Sequence, residues 1–158
     1  MSLSQPPTLT FGLDDPADPG VRALIEQLDG YLSRFHPDHA APPPSAEALK
    51  RPHIAFVTAR VDDEPVACGA CVDRGGYAEL TRMYVLPACR GLGLGRQLLE
   101  AMEDQVRAMG VDLARLETGL AQTEALELYE HAGYRRCPPF GDHREEPGSV
   151  FMEKPLRG

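Results

Sequence analysis

The stretch Glu79-Leu-Thr-Arg-Met-Tyr-Val-Leu-Pro-Ala-Cys-Arg-Gly-Leu-Gly-Leu-Gly-Arg96 decides how this chain is read. Residues 79–86 are β-rich and mostly apolar, and Pro87 ends the ladder because it has no N–H to donate. Arg90, Gly91, Gly93 and Gly95 come next, and a helical pattern starts at once. The first turn of a helix carries unpaired N–H groups and about half a positive charge. Glycines let a phosphate come close to those N–H groups, and Arg90 and Arg96 add full charges. Strand, glycine turn and helix together describe a cradle for a pyrophosphate.

Two common cradles do not fit. A dinucleotide fingerprint, Gly-x-Gly-x-x-Gly, would need its third glycine at Arg96 or Leu98. That argues against a nicotinamide-dependent oxidoreductase. A P-loop would need Lys-Ser/Thr after its last glycine, where this chain has Arg96-Gln97.

The rest of the chain alternates strands and helices around this stretch. Met1–Pro7 reads as a loose start and Thr8–Leu13 as a first strand. Val21–Phe35 places Leu24, Ile25, Leu28, Tyr31, Leu32 and Phe35 on one helix face, with Asp18 as its cap. His36–Pro44 cannot continue that helix through Pro37 and Pro42–Pro44. Its His36, Asp38 and His39 are either metal or substrate contacts or incidental residues of a solvated loop. Ser45–Lys50 reads as a short helix capped by Ser45.

His53–Val61 and Pro65–Val72 form a hairpin around Asp62-Asp63-Glu64, and Tyr77–Leu86 makes a third antiparallel strand. Gly93–Met109 is a helix with Leu94, Leu98, Ala101, Met102, Val106 and Met109 on its apolar face, and Gly110 suits a left-handed cap. Val111–Thr118 is a strand reached through that helix, so it runs parallel to the strand before the glycine turn. Thr123 caps a helix over Glu124–Ala132, Tyr134–Cys137 is a strand, Pro138–His143 is a loop, and Ser149–Lys154 is a closing strand. No internal repeat or linker divides the chain, so a single domain over residues 1–158 is expected.

The pattern Arg/Gln-x-x-Gly-x-Gly/Ala, met by Arg90, Gly93 and Gly95, resembles the acetyl-CoA loop of the GCN5-related N-acetyltransferase (GNAT) family. The element order β-α-α-βββ-α-β-α-ββ, from Thr8 to Lys154, is similar to that whole fold. The resemblance implies an α/β (α+β) class with a central mixed, mostly antiparallel sheet of six to seven strands flanked by helices. Leu116-Glu-Thr-Gly119, Ala125–Tyr129 and Ala132-Gly-Tyr134 are similar to the family's second acetyl-CoA segment, which includes Thr118. Pro138-Pro-Phe-Gly141 and Ser149–Lys154 look like a bacterial branch.

The family's chemistry then carries expectations. The cofactor is acetyl-CoA as co-substrate, without a metal. The pantetheine arm lies against the backbone of Met83, Tyr84 and Val85, with the Val85 N–H holding the thioester oxygen as it gains charge. Arg90, Gly91, Leu92, Gly93, Leu94, Gly95 and Arg96 take the pyrophosphate. Acetyl transfer needs a neutral amine, a stabilised oxyanion and a leaving thiolate that collects a proton. No covalent enzyme intermediate is required.

Glu79 matches the strand glutamate that strips the amine. A normal carboxyl pKa of about 4.3 is low for that work, so partial burial must raise it. A solvent-facing strand glutamate is the alternative, and Glu117 is a second acidic candidate. Tyr129 matches the tyrosine that protonates the thiolate, and a core tyrosine is the alternative reading. His131 and His143 are further acid–base candidates that the sequence does not place.

Composition bounds the partners. A net charge of −8 with no basic block argues against nucleic acid. No apolar run is long enough to cross a membrane and Met1–Phe11 shows no signal peptide, so the cytoplasm is the expected location. Cys68-x-x-Cys71 invites a redox or metal reading, but residues three apart on a strand face opposite ways, and there is no second pair to complete a zinc site. Cys89 beside Arg90 could be an activated thiol, but its neighbours are phosphate ligands.

The leading expectation is an N-acetyltransferase acting on a small amine or amino-acid-like acceptor. Transfer to a protein lysine or N-terminus, and a silent acetyl-CoA-binding regulator, are the alternatives. A homodimer is left open. Gly93→Glu should abolish acetyl-CoA binding by steric block and charge repulsion while the protein stays folded. Calorimetric titration of the folded variant tests this, and unchanged affinity would overturn the cradle.

Overall fold

The computed structural model describes residues 8–35, 49–141 and 143–156. The strands are β1 (Leu9–Leu13), β2 (Ile54–Val61), β3 (Glu64–Asp73), β4 (Ala78–Val85), β5 (Leu113–Gly119), β6 (Arg135–Arg136) and β7 (Ser149–Pro155). The helices are α1 (Pro19–Phe35), α2 (Leu94–Ala108) and α3 (Thr123–His131). A short 3-10 turn, Pro87–Cys89, joins β4 to the glycine loop. The expected helix over Ser45–Lys50 lies largely outside the described residues.

One seven-stranded sheet runs β1-β2-β3-β4-β5-β7-β6. All its pairings are antiparallel except β4 with β5, which is parallel because α2 connects them. Asp62 and Asp63, both with positive φ, make the two-residue β2–β3 turn. Asp18 accepts hydrogen bonds from the N–H groups of Gly20 and Val21 at 3.1 and 3.2 Å, capping α1. Gly110, at φ +80°, follows the end of α2.

Two expectations need correction. Thr123 is the first residue of α3 and makes no cap; Gln122 stands at the cap position without a side-chain bond. The strand expected over Tyr134–Cys137 shrinks to Arg135–Arg136, because Tyr134 instead bonds back to the Tyr129 carbonyl at the end of α3.

The sheet is covered differently on its two faces. α2 and α3 bury one face with Leu98, Leu99, Met102, Val106, Leu126 and Tyr129 against Val57, Leu80, Leu116 and Met152. α1 covers part of the other face, with Val21, Leu24 and Leu28 against Phe56, Cys68, Ala70 and Tyr84. Cys68 and Cys71 fall on opposite faces, as strand alternation requires.

The register between β3 and β4 contains the decisive irregularity. Ala70 pairs with Thr81 and Cys68 with Tyr84, so Gly69 alone opposes Arg82 and Met83. This is a β-bulge, and Arg82 sits in it at φ +58°. The extra residue reverses the facing of the strand. Ala78 and Leu80 point to the α2 face before it, and Met83 and Val85 do so after it. Arg82 reaches Asp29 of α1 in a close ion pair. Its side chain is only 7% exposed, and its Nε is buried without a hydrogen-bond partner.

Burial pushes the Cys68 and Cys71 thiols up to about 12. Cys89 and Cys137 are partly exposed. An aromatic disulfide reagent at neutral pH should therefore titrate at most two thiols in the native protein and all four after denaturation. Fast native reaction of Cys68 or Cys71 would contradict this placement.

Candidate active site

The pairing of β4 with β5 covers only Ala78–Leu80 against Ala114–Leu116. Beyond Leu80 the strands part, just where the bulge bends β4. The Leu86 N–H donates to the Val66 carbonyl of β3 at 2.9 Å. By alternation, the N–H and C=O of Val85, and those of Met83, face away from β3 into the gap beside β5. Thr118, buried near the end of β5, stands two residues past the last pair.

The glycine loop closes one end of this gap. Gly91 and Gly93 have φ of +82° and +76°, and a Cβ on either would meet nothing within 4 Å. What they supply is left-handed backbone with open space beside it. The first intrahelical bond of α2 runs from the Gln97 N–H to the Gly93 carbonyl, which leaves the N–H groups of Leu94, Gly95 and Arg96 without a helical partner. The Leu94 side chain is buried in the core, so this residue can offer only its backbone. Leu92 is exposed.

At Gly95 a Cβ would lie 3.4 Å from Leu128 and 3.9 Å from Val85, ordinary contact distances where α2 passes α3 and the end of β4. Arg90 turns back, donating from Nε to the Val85 carbonyl at 2.9 Å with its guanidinium 5.4 Å from the Tyr84 ring centroid. Arg96 lies 3.5 Å from Glu100 on the next turn.

Tyr129 is buried on α3, with its hydroxyl 3.5 Å from the Met83 sulfur. It packs edge-on against Tyr134. The Tyr134 hydroxyl donates to Glu103 at 2.8 Å, and Lys154 reaches the same carboxylate at 3.2 Å. Burial, then the Glu103 charge, push the Tyr134 phenol far up, so it stays a neutral donor. Tyr129 thus belongs to the core and touches the side chain of Met83, the residue whose backbone faces the gap.

Glu79 lies on the face opposite α2. Its side chain is 11% exposed, which sets aside the solvent-facing alternative, and both of its oxygens have partners. Arg74 Nε and Nη2 donate to its Oε1 at 3.2 and 3.1 Å, and His143 Nε2 lies 2.8 Å from its Oε2. His143 Nδ1 is 3.6 Å from Glu117 Oε1. Glu79, Glu117 and His143 therefore meet, although Glu79 and His143 are 64 residues apart.

The loop between β6 and β7 carries His143 over β5 and β7. The His143 ring packs against Phe140 and Phe151, at centroid distances of 5.1 and 5.7 Å. Tyr77 and Arg115 extend the same cluster, and Arg115 also pairs with Glu153 at 3.0 Å. Gly141 is needed where the loop bends: its φ is +59°, and a Cβ would come within 2.8 Å of the Tyr77 hydroxyl.

Other candidates stand apart. His131 Nδ1 bonds to the Glu127 carbonyl of its own helix, on the surface. Cys89 sits in the turn after β4. The His36–His39 segment lies outside the described residues. Among the described residues, no cluster of three or more His, Cys, Asp or Glu is arranged to hold a metal, and no helix is long and apolar enough to cross a membrane. Sequence reasoning missed Arg74, Arg82 and Asp29. Only Arg74 left a signal, being five residues from Glu79 across a tight turn.

A bulged strand parting from its parallel neighbour, with a glycine loop at the open end, defines an acyltransferase architecture. The Acetyltransferase (GNAT) family model matches residues 21–134, and the chain belongs to that family. It is an acyltransferase. A protein of Azospirillum brasilense named IAA acetyltransferase is 41% identical over 152 residues, covering 95% of this chain and 99% of the relative. The crystal structure of an acyl-CoA N-acyltransferase from Klebsiella pneumoniae has 35% identity and a TM-score of 0.77, covering 96% of this chain and 98% of that one. The PaiA N-acetyltransferase of Thermoplasma acidophilum, solved with coenzyme A, shares the fold at 17% identity and TM-score 0.70, covering 94% and 99%.

Proposed function

We propose that this protein transfers an acetyl group directly from acetyl-CoA to a primary amine of a small or amino-acid-like acceptor. The observation that carries this reading is the gap between β4 and β5, with Met83 and Val85 turning backbone groups into it and the glycine loop at its end. The open N–H groups of Leu94, Gly95 and Arg96 suit a pyrophosphate, and the pantetheine arm runs along Met83–Val85 past Thr118. Arg90 braces the end of β4 through the Val85 carbonyl and adds positive charge beside the loop.

The oxyanion forms next to a backbone N–H of β4. The N–H of Met83 suits this better than that of Val85, because the Tyr129 hydroxyl lies at Met83. Val85 is two residues, roughly 6.6 Å, nearer the loop. Tyr129 donates its proton to the leaving thiolate, since a phenol with a pKa of about 10 is protonated at neutral pH. The Glu79–His143–Glu117 group receives the proton that the acceptor ammonium must lose.

Calorimetric titration with acetyl-CoA, followed by an amine panel read as free thiol, tests the reading. IAA, named for the Azospirillum relative, is assayed beside the amines. Binding with amine-dependent thiol release is expected, and failure to bind acetyl-CoA would overturn the proposal. Tyr129→Phe should leave acetyl-CoA affinity unchanged and slow turnover by about 10²-fold or more, the lower end for a lost general acid. Equal rates would reduce Tyr129 to a core residue.

A further inference from the structure

We infer that the base is His143 rather than Glu79: Glu79 anchors its Nε2–H, Nδ1 takes the acceptor's proton, and Glu117 holds the acceptor ammonium beside Nδ1. This assignment rests on the acetyl-transfer reading and divides the work among three residues of that site.

The geometry separates two carboxylates that look alike in the sequence. Glu79 is committed on both oxygens, Oε1 to Arg74 and Oε2 to His143. A carboxylate held in this way at 2.8 Å from an imidazole nitrogen fixes the tautomer with the proton on that nitrogen, which leaves the other ring nitrogen as an acceptor. The same division of labour makes a carboxylate–histidine pair a general base in hydrolases of unrelated fold.

Nδ1 is then the free nitrogen, and it faces Glu117 across 3.6 Å. That distance is too long for a hydrogen bond between them. It is short enough for one ammonium nitrogen to touch both, at about 2.9 Å from each. Glu117 and His143 have side-chain exposures of 27% and 32%, against 11% for Glu79, so a ligand can reach the first two and hardly the third.

Register sets this site at the mouth of the gap proposed for the acyl group. Leu116 pairs with Leu80, so Glu117 is level with Thr81, two residues short of Met83. Phe140 and Phe151 wall the imidazole in and hold its plane. The charged groups around it are Glu79 on β4, Arg74 on the β3–β4 turn, Glu117 and Arg115 on β5, and Glu153 on β7.

The step balances without any further reactant. The ammonium gives one proton to Nδ1, and its nitrogen regains a lone pair. That lone pair forms the C–N bond at the thioester carbon. The C–S bond breaks and its electron pair leaves on sulfur, which takes the Tyr129 proton. The nitrogen, cationic once the C–N bond has formed, loses its second proton to solvent as the amide forms. The imidazolium, flanked by Glu79 and Glu117, returns the first proton to solvent, and Tyr129 is reprotonated from solvent, so the turnover releases one proton net.

Three variants of the full-length protein test the assignment: His143→Ala, Glu79→Gln and Glu117→Gln. His143→Ala should lose about 10²- to 10⁴-fold in kcat with the best amine of the panel, at unchanged acetyl-CoA affinity. Added imidazole should restore part of the loss, and the loss should shrink at high pH, where the amine is already neutral. Glu117→Gln should chiefly raise KM for the amine. Turnover of His143→Ala at the wild-type rate, or a kcat loss that imidazole does not rescue, would overturn the role.

A second measurement needs no acceptor. Long-range ¹H–¹⁵N spectra of the wild type at the working pH should show His143 protonated on Nε2 and bare on Nδ1, with Glu79→Gln mixing the tautomers. A proton resident on Nδ1 would sink the inference even if acetyl transfer were demonstrated. Absence of acetyl-CoA binding, by contrast, would sink the transferase reading itself.

Discussion

The bulge at Arg82 is the constraint on which the rest of the site depends. In a regular strand without the bulge, Met83 and Val85 would share the facing of Glu79 and Thr81, away from α2. β4 would then run straight, with no bend to carry it away from β5. An arginine at φ +58° is an unfavourable local conformation, of order 1–3 kcal/mol for a non-glycine residue in the left-handed region. Tertiary structure holds it there: the side chain is buried and ion-paired with Asp29, which ties the bulge to α1. Breaking a buried pair leaves an uncompensated charge, so the helix and the bent strand support one another.

The second organising feature is the unequal cover of the sheet. α2 and α3 pack on one face and supply the cradle and Tyr129. On the other face α1 packs over β2–β4, and the loop between β6 and β7 lies over β5 and β7. The gap between β4 and β5 opens in the plane of the sheet, while Glu79, Glu117 and His143 stand on the face opposite α2. In the proposed reaction, donor and acceptor approach the same carbonyl from different sides.

Much of this was legible in the chain. The apolar periodicity of α1, α2 and α3, the glycines at helix ends and the polar turn Asp62-Asp63-Glu64 are local signals, and each indicated the element found, the turn proving one residue shorter because Glu64 already pairs in β3. The parallel pairing of β4 and β5 followed from the intervening helix. The failures were of two kinds, one local and one long-range. Thr123 looked like a cap because the residue type suits one, but the chain enters the helix one residue earlier. Glu79 was singled out as a strand carboxylate with burial and solvent exposure both open, and its partners were not found. Arg74 sits across a turn, and His143 arrives from the far end of the chain. His143 was visible as a histidine in a loop, yet nothing in its neighbours could say which strand that loop would cross.

By itself, the sequence determined the order of elements, the glycine turn and the family, because each depends on residue types at short spacing: glycine for left-handed backbone, proline to end a strand, apolar residues at helical intervals. Only the tertiary structure decided where β4 bulges, that Glu79 is already paired, and that His143 lies between two carboxylates. Those facts come from contacts between residues far apart in sequence, and a contact of that kind has no local signature until the sheet and its loops have been packed.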